Sequence, residues 1–443
     1  MNGPSRRDFL RTNALAALGL TALGLGACSP VSRDSGSSNG GGGGGGGANI
    51  RYGWWGGSDR QQAYNKALAE FRKKFPDIKV DPEFADFDAF QDRIATQMAG
   101  RNAPDVFWIA ATSVVSFYAN GMYHDLDGLK ELDLSDFPKQ DIEEFKIDGK
   151  LNTMPFASFT PALRSNATFL EEQGAKVPDD ENWTWSDLSE FLKDCQKDAP
   201  KGRRAIAYNA NADLGFESWL RSHGQELWTQ DGNVGWDAEA CGEWFAWWED
   251  LRESGAALTL AEQEGVSMDW GIVGNRVMMS LGNSNHLTPD APVFPKYEFQ
   301  LHLTPKASAG ADGSHRYVYT PRMAIYKQSA NPEAAASLVN FLVNDEVMPG
   351  LIGTTMGAPT NPQQRKRTYE QADANGKKVI DAVDRERDTK GRKPRYEAPA
   401  GASTWRTDMD RTVEAVSLKK TSIADAAARM TKDIQAAIDA ARK

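Results

Sequence analysis

Trp54 and Trp55 stand side by side before Gly56-Gly57, and Trp405 stands alone after the stretch Pro399 to Thr404. A flat indole stacks on the C–H face of a pyranose ring, while Asp, Asn and Ser bond the ring hydroxyls, so these groups together suit a carbohydrate contact. The chain has 13 tryptophans in 443 residues, and most of them read as packing. Trp244, Trp247 and Trp248 fall at i, i+3 and i+4 beside Leu251, which is helix-core spacing, and Trp183, Trp185 and Trp219 read as core as well. Trp54 and Trp55 end an apolar strand at a glycine break. Strand alternation turns one toward a ligand and the other inward, and does not say which. Trp405, in a Pro-Ala-Gly-Ala-Ser-Thr loop, reads as ligand-facing. Its removal should weaken binding and leave thermal stability nearly unchanged.

Other chemistries lack their marks. Beyond the glycine run the chain carries no HExxH, P-loop, GxGxxG or GxSxG motif. The five histidines, His124, His223, His286, His302 and His315, have no ligand spacing, so neither a metal, a cofactor nor a catalytic residue is expected. A glycosidase carboxylate pair, defined by separation in space, leaves no local signature. Three cysteines are too few for a disulfide scaffold. Cys195 and Cys241 are read either as a disulfide or as two buried thiols. With 51 basic and 61 acidic residues the net charge is −10, which argues against nucleic acid, whose affinity for proteins comes largely from Lys and Arg on phosphates.

The elements that must position these groups are legible for much of the chain. Ile50 to Trp54 reads as a buried strand. Ser58 and Gln61 read as a capping box, followed by a helical face at Tyr64, Leu68, Phe71 and Phe75 that Pro76 stops. Ile78, Val80, Pro82 and Phe84 alternate as an edge strand. Phe87, Phe90, Ile94 and Met98 return to helical spacing before Val106 to Ile109. The order is βαβαβ, which implies a mostly parallel sheet with ligand loops beyond the strand C-termini, Trp55 to Asp59 and Ala110 to Ser113. Tyr317 to Tyr326 reads as a strand before a helix begun by Pro332. Ser422 and Asp425 cap a last helix with Ile423, Ala427, Met430, Ile434 and Ile438 on one face. The mixed-charge segment 365–395 reads as a solvated helix and loop.

The first residues read as an address. Arg6-Arg7 precede an uncharged stretch that ends in Leu25-Gly26-Ala27-Cys28, the order of a twin-arginine signal with a lipobox. Residues 1–27 are then a signal peptide, and Cys28 carries lipid at the outer face of the cell membrane. Loss of residues 1–27, with three arginines and one aspartate, takes the charge from −10 to −12. Residues 28–48, which include eight consecutive glycines at 40–47, read as a tether of about 20 residues with an end-to-end distance of about 25 Å.

With these marks in place, "IRYGWWGGSDR", "FRKKFPDIKV", "MAGRNAPDVFWI", "YANGMYHDLDGL", "IDGKLNTMPF", "GNRVMMSLGNS", "NPEAAASLVNFLVND" and "MGAPTNP" follow one another in an order that resembles family 1 extracellular solute-binding proteins, the sugar-binding lipoproteins of ABC importers. The resemblance implies an α/β fold of two lobes, 49–158 with 317–353 and 159–316 with 354–443, hinged about a sugar-binding cleft. It implies a monomer, a small sugar and the permease subunits as partners. Carried onto this sequence, it assigns the ligand to Trp55, Ser58 and Asp59, to Thr112 and Ser113, to Asn209 and Asp213, to Asn283 and Ser284, and to Trp405. Well-studied sugar binders often have a charged residue where this chain has Thr112. A secreted, lipid-anchored glycoside hydrolase is the alternative function, and a receptor for a non-sugar solute such as a polyamine or phosphorylated polyol fits the same fold.

Overall fold

The computed structural model describes residues 47–263 and 275–443. The expected signal peptide, Cys28 and the tether up to residue 46 lie outside the described residues. Strand β1 (Ala48–Trp55) buries Ile50, Tyr52 and Trp54 on one face, as a period of two requires. Helix α1 (Ser58–Lys74) meets it with Tyr64 and Phe71. Strand β2 (Ile78–Ala85), helix α2 (Phe87–Ala99) with Phe90, Ile94 and Met98 buried, and strand β3 (Val106–Ile109) complete the expected βαβαβ unit, with β2 and β3 both parallel to β1. Pro82, which has no N–H to give, sits on the edge strand. The start of α1 differs from expectation. Gly57 is the N-cap and no side chain caps the helix. Gly56 makes the turn at φ +150°, where a Cβ would come within 2.6 Å of the Arg60 side chain, and Arg60 reaches back to the Trp55 carbonyl.

The chain adds strand β4 (Met154–Pro155) and then crosses to a second sheet. That sheet holds β5 (Pro161–Asn166), β6 (Arg204–Ile206), β7 (Val277–Asn283) and β8 (Phe299–His302) in the order β8-β5-β7-β6. It is covered by helices α3 (Trp185–Lys197), α4 (Asp213–Ser222) and α5 (Ala238–Glu253). The chain then returns as β9 (Arg322–Ile325) and helix α6 (Pro332–Asn344) to close the first sheet, β2-β1-β3-β9-β4. Because β9 arrives from the second sheet, it runs antiparallel to both β3 and β4. Strand β5 is antiparallel to its two neighbours. Both sheets are mixed rather than mostly parallel.

Helices α7 (Ala374–Arg387), α8 (Trp405–Ser417) and α9 (Ile423–Ala441) follow. Ser422 caps α9 by accepting from the Asp425 amide at 3.0 Å, and Ala427, Met430, Ile434 and Ile438 are buried, as the spacing predicts. Segment 365–395 is less solvated than its charges suggest, since α7 buries Val379, Ile380, Val383 and Glu386.

One hydrophobic core surrounds each sheet. The second is built on indoles: Trp183, Trp185, Trp219, Trp244 and Trp248 are buried, with Trp247 packed against them. Cys195 and Cys241 lie in this core as free thiols, which is the second of the two readings and not the disulfide. Their helices are locked by Trp185 edge-on to Trp244 at 6.0 Å instead, and burial pushes the thiols up to about 11 and about 12. Between the cores three lengths of chain run side by side. Ala157–Ser158 pairs antiparallel with Ala358–Pro359, Phe159 bridges Tyr319, and Ser158 shares a hydroxyl hydrogen bond with Thr320 at 3.0 Å.

Candidate functional site

The ends of the first sheet do not present their tryptophans to solvent. Trp54 is 0% exposed, stacked on Tyr52 at 4.8 Å with Tyr64 and Phe84 around it. Trp55 is 9% exposed, edge-on to Trp108 at 5.1 Å and to Phe87 at 5.4 Å. Alternation sends the two indoles to opposite faces, but α1 covers one face and α2 the other, so neither indole stands free. Trp55 instead backs Phe87, the first residue of α2.

Trp405 is a clearer correction. It is the first residue of α8, is 3% exposed, and meets Trp228 edge-on at 5.9 Å within the second core. The preceding segment is not a free loop. Gly401, at φ +91°, lies so close to α9 that a Cβ would come within 2.4 Å of the Ala437 carbonyl oxygen, so the chain is pressed onto that helix and the next aromatic turns inward.

The residue that follows points the other way. The Arg406 side chain is 44% exposed, its Nε 3.2 Å from Asp213 and its guanidinium 5.1 Å from the centre of the Phe87 ring. Phe87 follows the C-terminal end of β2, and Asp213 opens α4 beyond the C-terminal end of β6. Arg406 therefore bridges the two cores across a part-exposed seam, the crevice of the proposal below, with one contact on each side. Asp213 foremost raises the guanidinium above its ordinary range, with Asp410 and Asp88 adding to it. Asp410 lies one helical turn along α8 and accepts from Asn211 at 2.7 Å. Burial pushes its carboxyl up and Asp213 and Asp88 add to that, against the pull of Asn211 and Arg406. Tyr319, on the returning crossover, accepts from the Ala111 amide at 3.0 Å and so connects that crossover to the loop after β3.

Of the expected polar residues, Asp213 faces this crevice. Ser58 and Asp59 are exposed in the first turn of α1, at the same end of the first sheet. Thr112 and Ser113 are half-buried in the turn after β3. Asn283 is half-buried at the end of β7. Asn209 and Ser284 are structural. The Asn209 side-chain oxygen Oδ1 accepts from the Leu281 amide at 3.0 Å, tying the end of β6 to β7. The buried Ser284 hydroxyl accepts from the Thr160 amide at 3.1 Å. Both bonds are internal ones that a buried polar group requires. Arg406, Asp410, Asn211 and Phe87 were missed, although Arg406 and Asp410 at i, i+4 are the spacing that puts two charges on one helix face.

Behind the crevice lies a chain of buried charges. Arg395 binds Glu217 on α4 at 2.8 Å and Glu397 at 3.2 Å, and Glu397 accepts from Arg322 on β9 at 2.5 Å. Burial alone would raise the Glu397 carboxyl, but Arg322 and Arg395 outweigh it and hold it low. This chain joins the second core to the first sheet through charges balanced among themselves. Among the described residues no group of three or more His, Cys, Asp or Glu is placed to hold a metal, and no helix is long and apolar enough to cross a membrane.

Residues 56–349 match the bacterial extracellular solute-binding proteins, and the chain belongs to that family. An uncharacterized lipoprotein encoded in the oleD 5′ region of Streptomyces antibioticus is 25% identical over 372 residues, covering 81% of this chain and 78% of that protein. Two solved structures share the fold. One is a periplasmic oligogalacturonide-binding protein from Yersinia enterocolitica in complex with saturated digalacturonic acid (TM-score 0.79, 18% identity, 89% of this chain and 100% of that one). The other is the GacH receptor of Streptomyces glaucescens (TM-score 0.72, 19% identity, 89% and 99%). The fold is α/β and periplasmic-binding-protein-like.

Proposed function

We propose that the protein is a non-catalytic, monomeric receptor that holds a carbohydrate between two hinged lobes and delivers it to the permease of an ABC importer from the outer face of the cell membrane, where lipid on Cys28 anchors it. The lobes are 49–158 with 317–353 and 159–316 with 354–443. The observation that carries this reading is the crevice at Arg406, where donors, carboxylates and an aromatic face converge from both cores. Those groups match the hydroxyls and the C–H faces of a sugar. The oligosaccharide ligand named with the Yersinia relative supports it. Hinge motion about the parallel crossovers would close the crevice on its ligand and exclude water.

Calorimetric titration with neutral and charged oligosaccharides, followed by chromatography after prolonged incubation, tests the reading. Saturable binding of at least one sugar that is recovered intact is expected. Shortened products would make the protein a hydrolase. Binding of a polyamine or phosphorylated polyol with no sugar bound would leave the receptor and change its cargo.

A further inference from the structure

Arg406 is held for use rather than consumed. Its Nε faces Asp213 and its guanidinium lies against the Phe87 ring, yet among the described residues its two terminal amines take no hydrogen bond. A guanidinium with one edge fixed and the other open is a preorganised two-pronged donor, suited to a pair of neighbouring hydroxyls or to a carboxylate. The surrounding charge decides between these. Asp213 lies 3.2 Å from the Arg406 Nε, Asp410 follows one turn along α8 and Asp88 follows Phe87, whose ring the guanidinium meets, so the cation stands among more carboxylates than its one charge offsets. The neighbouring cations do not redress this. Arg395 and Arg322 are matched by Glu217 and Glu397.

Taking the carbohydrate reading above as its basis, we propose that Arg406 is the orienting donor of the cleft, and that the carboxylates around it select neutral or amine-bearing sugars and reject uronic acids. An acidic sugar would bring a further carboxylate to a group whose charge Asp213 already offsets. A neutral sugar offers Arg406 its hydroxyl oxygens and Asp410 and Asp213 its hydroxyl protons. An ammonium group adds a charge-assisted bond to the carboxylates. The preference thus differs from that of the Yersinia relative of the same fold, whose named ligand is an acidic digalacturonide.

The test is calorimetry at low salt on the intact protein, with maltotriose, cellotriose, lactose and N,N′-diacetylchitobiose as neutral probes, chitobiose as the amine-bearing probe and digalacturonate as the acidic one. The expected result is that a neutral or amine-bearing probe binds at least tenfold more tightly than digalacturonate. In Asp410→Asn and in Asp213→Asn that margin should shrink at least fivefold. Arg406→Gln should weaken the best neutral probe at least tenfold with the melting temperature unchanged, and Arg406→Lys should restore part of the loss. Digalacturonate binding as tightly as the best neutral probe, or a neutral affinity indifferent to Arg406→Gln, overturns the inference and leaves the carbohydrate reading intact. Failure of every probe to bind takes down the carbohydrate reading and the inference with it.

Discussion

Trp405 and Arg406 are adjacent in sequence, and about 100° of helical rotation separates what they do. Trp405 begins the inward row that continues with Met409, Val413 and Val416, whereas Arg406 begins the row of Asp410 toward the crevice. The tryptophan was the conspicuous residue in the sequence and the arginine the informative one. Sequence composition draws attention to rare side chains, and a helix assigns them to faces that no single residue reveals. The loop before Trp405 could not be recognised as closely packed, because its contact is the Gly401 backbone against Ala437, thirty-six residues away. Trp405→Ala should therefore destabilise the unliganded protein by about 3 to 5 kcal/mol, the usual loss for a buried large aromatic. A denaturant melt that left stability unchanged would contradict this placement. Sugar affinity per folded molecule should change much less than in Arg406→Gln.

At the scale of elements, local patterns carried furthest where one helix or strand decides its own packing. The βαβαβ unit, the helix after Pro332 and the Ser422 cap were all legible, because apolar period and end chemistry act within a few residues. The direction of β9 was not, since it depends on where the chain returns from. Nor was the buried face of α7, on which Glu386 is 0% exposed. Burial pushes this carboxyl up to about 7, against the pull of Arg316, Arg392 and Arg385. A group whose folded pKa is raised above its unfolded value stabilises the fold fully below the unfolded value and loses that contribution as pH rises through the folded one. The window is therefore about pH 4.5 to 7, and the loss on completing it is about 3 kcal/mol. Urea unfolding at pH 5 and pH 8 should show this contribution as a difference between the two proteins, the native one losing stability relative to Glu386→Gln as the pH rises. Equal pH dependence in the two proteins would place the titration elsewhere.

At the scale of the whole molecule, the sequence reads as an expected N-terminal address with its tether and, after it, the folded body that the structure describes. One or two acyl chains contribute about 0.8 kcal/mol per buried methylene, so Cys28→Ala should move the protein from the membrane fraction to the medium. Cys28→Ala protein that stays with the membrane would remove the lipid from the account. What composition could not foresee is the meeting of Phe87, Asp213 and Arg406, which lie more than three hundred residues apart from first to last and converge only because three crossovers hold the two cores together. That convergence is the central claim. A crystal structure of the protein with the tightest-binding sugar from the calorimetric panel tests it most directly. The predicted result is an intact sugar in the crevice, bonded by the terminal amines of Arg406 and contacted from both lobes. A sugar seated away from Arg406, or touching one lobe alone, would contradict it.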